Sequence, residues 1–217
     1  MISPEEGLVE VVSKINNYED VNIDDVKHWL AAAPHDLTYN LLVTPGYFGN
    51  TALHDAACSG LTDLVALFLN SVNHEKRVEM LKVANRWGNT VLDYAALNNR
   101  VDTIETIYNS ITRDDIYSLL QIQKPLGTPL HTAVDKGHLN SFKSMLTPFS
   151  SKQRKFLLGI TNRTGETVLA VATRHNRMDI VDCIQEKLHE TSLLHSLRHD
   201  ENGKLFTHES LHYKIKR

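Results

Sequence analysis

Cysteine is scarce in this sequence, with only Cys58 and Cys183 among 217 residues. Two thiols cannot build the disulfide framework on which small secreted domains depend. Both cysteines lie within apolar patterns that are typical of helices, which suits free thiols in a reducing compartment. The sequence therefore predicts a cytoplasmic protein.

Long apolar runs are missing as well. No segment approaches the roughly 18 consecutive apolar residues that a membrane-spanning helix needs. Residues 1–10 carry acidic side chains where a secretory signal peptide would be basic, and no long apolar stretch follows. We therefore expect no membrane partner, and export from the producing cell would have to proceed without a cleavable signal peptide.

Neither sign of charge is in excess. The 23 basic and 26 acidic residues give a net charge of −3, and neither sign forms a long block. A nucleic-acid-binding face usually shows a clustered excess of lysine and arginine. We therefore expect no nucleic-acid partner.

Recognisable catalytic patterns are also lacking. Glycines such as Gly46 and Gly49 form no phosphate-binding pattern, and no Ser/His/Asp or paired-carboxylate arrangement stands above chance. His54 precedes Cys58 by four residues, but no third group is placed to orient the histidine toward the thiol. The sequence thus predicts a protein that is not an enzyme and needs no cofactor.

Histidine is plentiful, with 12 residues. The pairs His195/His199 and His208/His212 have the i, i+4 spacing that presents two imidazoles on one side of a helix. The sequence fixes no third ligand beside either pair. We therefore predict no metal site and keep zinc binding at these pairs as the alternative.

The most informative feature is an internal repeat with a period of 38 to 39 residues. Related segments carry a threonine at positions 51, 90, 128 and 167, which are 39, 38 and 39 residues apart. Apolar triplets with helical spacing keep the same period: Leu61/Leu64/Leu67, Val101/Ile104/Ile107, Leu139/Phe142/Met145 and Met178/Val181/Ile184. The threonine can cap a first helix, and each triplet predicts the buried stripe of a second helix.

The ends of the first helices are marked too. Gly60 and Gly137 suit the left-handed residue that closes a helix, and Asn99 and Asn176 suit it less well. Each repeat is therefore predicted to contain a helical hairpin.

One copy of the repeat resembles the ankyrin signature closely. Residues 128–133 read Thr-Pro-Leu-His-Thr-Ala, and Gly-His-Leu follows at 137–139. The resemblance covers about residues 20–190 and implies an all-α ankyrin-repeat solenoid of stacked helical hairpins. It further implies that His54 and His131 hydrogen-bond to backbone between neighbouring repeats.

The repeat is longer than the about 33 residues of an ordinary ankyrin unit. The additional residues contain pairs of adjacent apolar side chains: Leu41–Leu42, Met80–Leu81, Leu119–Leu120 and Leu157–Leu158. We interpret them as an extra short helical turn in each repeat. Lengthened repeats are similar to those of ankyrin proteins from intracellular bacteria, several of which act as effectors in host cells.

The period divides residues 1–217 into the units of a single ankyrin-repeat domain. The predicted units are an N-terminal helical cap (1–48), four repeats (49–87, 88–125, 126–164 and 165–202) and a degenerate C-terminal cap (203–217). Pro4-Glu5-Glu6 faintly resembles the opening of an F-box, a helical adaptor of ubiquitin ligases, which is the alternative to a capping helix.

The ankyrin resemblance implies that the hairpin tips and the exposed face of each first helix bind a partner protein. The tip positions are Tyr47, Phe48, Arg86, Trp87, Pro125, Leu126 and Arg163. The helix positions are Tyr94, Leu97, Asn98, Asp135, Lys136, Arg174 and His175, with Asp55 and Val171 beside them. Aromatic and apolar groups gather in the first half of this set, and the second half is mildly basic.

We predict that Trp87 and Tyr94 lead the contact with the partner, with Tyr47 and Phe48 beside them. Packing of Trp87, Tyr47 and Phe48 against the extra helical turns is the alternative. The sequence as a whole predicts a monomeric protein-interaction module, and the lengthened repeat implies an effector that acts on a host protein. The alternatives are a targeting or regulatory domain of a larger enzyme and an F-box-like adaptor.

Overall fold

The computed structural model describes residues 4–16 and 21–189 of the chain. Within these residues the secondary structure is helical, with isolated β-bridges between Lys124 and Gly127 and between Thr161 and Thr167. The histidine pairs at 195/199 and 208/212 and the predicted C-terminal cap lie outside the described residues.

The chain divides into two compact units, Met1–Leu119 and Leu120–Arg217, which we call the N-terminal unit and the C-terminal unit. The helices of the N-terminal unit are α1 (Pro4–Asn16), α2 (Ile23–Ala32), α3 (His35–Val43), α4 (Ala52–Ser59), α5 (Thr62–Asn70), α6 (His74–Lys82), α7 (Val91–Leu97), α8 (Val101–Ser110) and α9 (Arg113–Leu119), with a 3-10 turn at Tyr47–Gly49. Those of the C-terminal unit are α10 (Pro129–Lys136), α11 (Leu139–Leu146), α12 (Ser151–Gly159), α13 (Val168–Arg174) and α14 (Met178–His189).

The predicted helical hairpins are confirmed. In the N-terminal unit α4 pairs with α5 and α7 with α8, and the two hairpins stack through α4 against α7 and α5 against α8. In the C-terminal unit α10 pairs with α11 and α13 with α14, stacked in the same way. The helix α1 packs against α2 and α4, and so takes the place of a first helix at the start of the array.

The ends of the first helices follow the prediction as well. Gly60 and Gly137 close α4 and α10 in the left-handed region, both with φ of 75°. Asn99 and Asn176 adopt the same region after α7 and α13, with φ of 54° and 56°. Each left-handed residue reverses the chain so that the second helix returns along the first.

The extra segment is larger than the short turn that the sequence predicts. It is a complete third helix in each repeat, namely α3, α6, α9 and α12, with seven to nine residues apiece. Side-chain caps begin two of these helices: Asn73 accepts from the Lys76 N–H at 2.9 Å, and Ser150 accepts from the Gln153 N–H at 3.4 Å. The apolar pairs supply its buried face, since Leu42, Leu81 and Leu158 are at most 2% exposed.

The third helices of the N-terminal unit form a stack of their own. The Tyr39 hydroxyl on α3 donates to the Glu79 carboxylate on α6 at 2.9 Å. His74 on α6 lies 3.1 Å from the Asp115 carboxylate on α9. The lengthened repeat therefore adds a third layer of helices to the usual two.

Members of the apolar triplets form the core. Leu64 and Ile104 are fully buried in the N-terminal unit, as are Phe142 and Met145 in the C-terminal unit. The prediction that Leu61 belongs to this stripe is wrong. It precedes the first residue of α5 and is 42% exposed, because the chain is still turning there.

Candidate functional site

The hairpin tips are held by asparagine side chains. The Asn85 carboxamide oxygen accepts from the backbone N–H of Trp87 and of Asn89, each at 3.0 Å. Asn162 does the same in the last tip, accepting from Thr164 at 3.0 Å and from Glu166 at 2.9 Å. Because the asparagine satisfies the turn from inside, the side chains at the centre of the tip are free to face solvent.

The tip before α10 is one residue shorter. Lys124 and Gly127 bond to each other in both directions, at 3.1 and 2.8 Å, with Pro125 and Leu126 between them. This tight turn accounts for the single 38-residue spacing between the threonines. Leu126 is 74% exposed at its centre, and Arg163 in the following tip is also exposed.

Three aromatic rings meet at the first two tips, and we call them the aromatic tip cluster: Tyr47, Phe48 and Trp87. They are 72%, 55% and 53% exposed. The ring centroids of Phe48 and Trp87 lie 5.1 Å apart, and those of Tyr47 and Phe48 lie 6.5 Å apart. The Arg86 N–H donates to the Phe48 carbonyl at 3.1 Å and joins the two tips.

The backbone of Phe48 is strained. Its φ of 59° and ψ of 13° lie in the left-handed region, which costs a residue with a Cβ atom about 1–2 kcal/mol. Hydrogen bonds enforce this geometry, since Gly46 N–H donates to the Asn50 carbonyl at 2.6 Å and Asn50 N–H to the Tyr47 carbonyl at 3.0 Å. Strain at an exposed aromatic residue is typical of a functional surface rather than of a core.

Tyr94 lies behind this surface in a partly buried polar network. Its hydroxyl accepts from the Asn85 side chain at 3.2 Å, and its ring stands edge-on to His54 with centroids 5.8 Å apart. Burial raises the pKa of the Tyr94 hydroxyl. Asn98 donates to the Tyr94 carbonyl at 2.9 Å and so closes α7, and Leu97 is half-buried.

The sequence did not reveal the centre of this network. The Asn50 side chain donates to the Asp55 carboxylate at 2.7 Å, and the Asn85 side chain donates to the Asn50 carboxamide oxygen at 2.9 Å. The expectation that Asp55 is exposed is therefore wrong, because it is 3% exposed and accepts a hydrogen bond from Asn50. The available signal was the asparagine directly before the capping Thr51.

His54 has the bridging role that the ankyrin resemblance implies. Its Nδ1 accepts from the Thr51 N–H at 3.2 Å, so the proton lies on Nε2, which donates to the Asn89 carbonyl at 3.1 Å. Burial lowers the pKa of His54 to about 4, which keeps the ring neutral as this geometry requires.

His131 repeats the arrangement in the C-terminal unit. Its Nδ1 accepts from the Thr128 N–H at 3.2 Å and its Nε2 donates to the Glu166 carbonyl at 3.1 Å. Burial lowers the pKa of His131 as well. The predicted hydrogen bonds between neighbouring repeats are thus confirmed for both histidines.

Polar groups dominate the predicted surface of the C-terminal unit, and they pair with one another. Arg174 lies 2.7 Å from Glu166, and Asp135 lies 3.1 Å from His175 and 3.6 Å from Lys136. Burial opposes the charge on Glu166, but hydrogen bonds led by that from Arg174 outweigh it and lower its pKa.

One residue expected beside this polar set is not on the surface. Val171 is 3% exposed and faces the core of the C-terminal unit. The prediction that it lies on the binding face is therefore wrong.

Cys58 and His54 each contact other groups and form no hydrogen bond with one another. Burial is the main cause that raises the pKa of the Cys58 thiol, and both ring nitrogens of His54 are engaged elsewhere. Among the described residues, no group of three or more His, Cys, Asp or Glu side chains is arranged to hold a metal ion. None of the described helices combines the length and the apolar character needed to cross a membrane.

Comparison with known families agrees with this architecture. Residues 17–118, somewhat less than half of the chain, match the family model for ankyrin repeats (3 copies). No curated protein sequence matches the chain. The chain therefore contains ankyrin repeats, and the predicted all-α ankyrin-repeat fold is confirmed. Ankyrin repeats form a class of non-enzymatic module that mediates protein–protein interaction.

Proposed function

We propose that this protein binds a partner protein through the aromatic tip cluster of its N-terminal unit. The observation that carries the proposal is the contiguous exposure of Tyr47, Phe48 and Trp87, each more than half accessible. Tryptophan and tyrosine are enriched among the few residues that dominate the binding free energy of protein interfaces. The position of the cluster at the hairpin tips is one that ankyrin repeats use for binding.

The strain at Phe48 supports an interface rather than packing. A ring that packed against the third helices would be covered, whereas Tyr47 is 72% exposed and Phe48 55%. More than half of the Phe48 side chain stays exposed, so burial offsets little of the cost of its left-handed backbone, and an advantage in binding accounts for the rest.

Tyr94 has a different role in this proposal from the leading contact that we expected. Through Asn85 it supports the turn that presents Trp87, so it positions the tip more than it covers the partner. The paired charges of the C-terminal unit, such as Asp135 with His175, would provide charge complementarity to the partner protein in a second region of contact.

The test compares an alanine variant of the aromatic tip cluster with an alanine variant of an exposed ring outside it. A double variant, Phe48→Ala with Trp87→Ala, is expected to weaken capture of partner proteins by 30-fold or more, roughly the 2 kcal/mol of an interface hot spot. The control Phe156→Ala removes a ring that is 54% exposed on α12 and should retain the partner. Equal capture by all three proteins, with intact helical content, would refute the proposal.

The narrower proposal is that the partner is a host protein and that this chain is an effector delivered from an intracellular bacterium. Its support is the lengthened repeat, whose third helix separates it from the ordinary unit. A fusion to a reporter that is active only in the host cytoplasm should give a signal after infection. Retention of the fusion in the producing cell would contradict this narrower role and leave the binding proposal intact.

Two further expectations stay predictions. The free thiols of Cys58 and Cys183 support a reducing, cytoplasmic location. The F-box-like alternative has less support, because α1 buries Val11, Val12 and Ile15 within the N-terminal unit and so acts as a cap.

A further inference from the structure

A groove opens beside the aromatic tip cluster, between α1, α3 and the first two tips. Its volume is about 660 Å³, and we call it the N-terminal groove. The residues that shape it are Val9, Val12, Leu41, Tyr47, Phe48 and Arg86. The groove thus joins the capping helix α1 to the surface proposed for partner binding.

Two of the residues that shape the groove are themselves accessible. Val9 is 50% exposed and Tyr47 is 72% exposed. A small molecule needs a site that buries most of its surface, and walls this open cannot provide it. A segment of a larger partner suits the groove better, because the rest of the partner covers the side that the groove leaves open.

The charge at the groove is one-sided. Arg86 is exposed, and among the described residues no carboxylate pairs with its guanidinium. Glu10 on α1 is already paired with Lys14 at 2.6 Å. An unpaired arginine next to an apolar surface favours a ligand that brings its own carboxylate.

We infer that the N-terminal groove holds a short peptide segment of the partner in which a large apolar side chain neighbours an acidic residue. The apolar side chain packs on Val9, Val12 and Leu41, and the carboxylate pairs with Arg86. The inference rests on the proposed function and specifies the partner's chemistry at one end of that surface. It also gives α1 a second role, since its exposed Val9 contributes to the binding surface while its buried face caps the array.

The probe is a displayed library of random 12-residue peptides (a length of about 40 Å when extended), selected on the full chain. Selected peptides should share a large apolar residue next to Asp or Glu. A synthetic copy of the strongest binder should lose at least tenfold in affinity, measured by fluorescence polarisation, for Arg86→Glu and for Val9→Gln. Matched controls are Arg113→Glu and Leu61→Gln, which change an exposed arginine and a 42% exposed leucine that do not line the groove.

A charge exchange makes the assignment specific. Replacing the acidic residue of the selected peptide by lysine should restore binding to Arg86→Glu and abolish binding to the wild type. The affinity of Arg86→Gln for the selected peptide should lie between those of the wild type and Arg86→Glu, because this substitution removes the charge without reversing it. A thermal melt checks that Arg86→Gln is folded. Peptides without an acidic preference, or affinity that is unchanged by Arg86→Glu, would overturn the inference, as would a library that yields no binder.

The groove and the proposed function fail in different ways. If partner capture is lost with the Phe48/Trp87 double variant but kept with Arg86→Glu and Val9→Gln, the aromatic tip cluster binds and the groove does not. If capture survives the double variant too, the proposed function itself fails.

Discussion

His54 couples the stability of the N-terminal unit to pH through a single proton. Its pKa is about 4 in the folded protein and about 6.5 in an unfolded chain. Between these values the unfolded state binds more protons, so the free energy of unfolding falls as the pH is lowered through this window. We expect a loss of up to about 3 kcal/mol from this residue, measured by urea denaturation at neutral pH and at about pH 4.5.

The matched variant is His54→Gln, because a glutamine already completes the same kind of cap at Gln153 in α12. It should retain the bond from the Thr51 N–H and lose most of the acid sensitivity that His54 contributes. His131, whose pKa is also lowered, makes the stability of the C-terminal unit depend on pH in the same direction. The slope of the unfolding free energy against pH should therefore decrease in the variant without vanishing. An unchanged slope in the variant would show that the acid sensitivity comes from elsewhere.

A substitution at Phe48 should change partner affinity and protein stability by different amounts. Asparagine tolerates the left-handed region, as Asn99 and Asn176 show with φ of 54° and 56°. Phe48→Asn should relieve about 1 kcal/mol of strain while losing a ring contact with Trp87 of about 0.5–1.5 kcal/mol. The Tm measured by thermal denaturation should therefore change little, while the affinity for the partner should fall more than tenfold. A large loss of stability would mean that the ring contributes mainly to packing.

The burial of particular polar side chains was the part that the sequence could not predict. Asp55 and Tyr94 share the periodic positions of exposed residues, yet Asn50 and Asn85 enclose them in one network. Asn50 and Asn85 stand 35 residues apart, and a pattern along one repeat does not show which neighbour will supply a partner. His54 was predictable because its repeat signature includes the contact.

Arg77 ties the third helix to the second helices around it. It donates to the Leu69 carbonyl at 2.5 Å, the Val72 carbonyl at 3.2 Å and the Ser110 carbonyl at 2.6 Å. Removing the guanidinium leaves several carbonyl groups without this donor. Each buried group left unpaired costs about 1–3 kcal/mol.

Arg77→Met keeps the aliphatic stem and should lower the free energy of unfolding by about 2 kcal/mol or more in urea denaturation. The control Lys82→Met removes one positive charge from the exposed end of the same helix and should have little effect. If the two variants lose the same unfolding free energy, Arg77 acts through net charge, and its hydrogen bonds to the carbonyl groups do not contribute to stability.

The period predicted the hairpins but understated the third helix. Threonine, asparagine and glycine recur at fixed positions, so the helices of each hairpin could be placed from spacing alone. The third helices α6 and α12 are rich in charged residues, so their apolar pairs alone predict no more than a short turn. The third-helix caps Asn73, Thr112 and Ser150 keep the same period of 39 and 38 residues, which was the signal that could have identified a third helix.

The two compact units differ in the side chains that they expose to solvent. The N-terminal unit carries the aromatic tip cluster, and the C-terminal unit carries paired charges around Glu166 and Asp135. The sequence predicted this change from apolar to polar, because exposed positions repeat as regularly as buried ones. In repeat proteins stability is also largely local, being the sum of each repeat and its neighbours.

Local stability can be tested with Phe142, which is fully buried in α11 of the C-terminal unit. Phe142→Ala should cost about 3–5 kcal/mol through the lost burial and the cavity left behind. Because opening is cooperative within a unit, hydrogen exchange should accelerate in α10 to α12 far more than in α4 and α5. Binding at the aromatic tip cluster should survive at temperatures where the N-terminal unit stays protected. Equal acceleration in both units would instead mean that the chain unfolds as one cooperative body, and the variant would then lose binding and protection together.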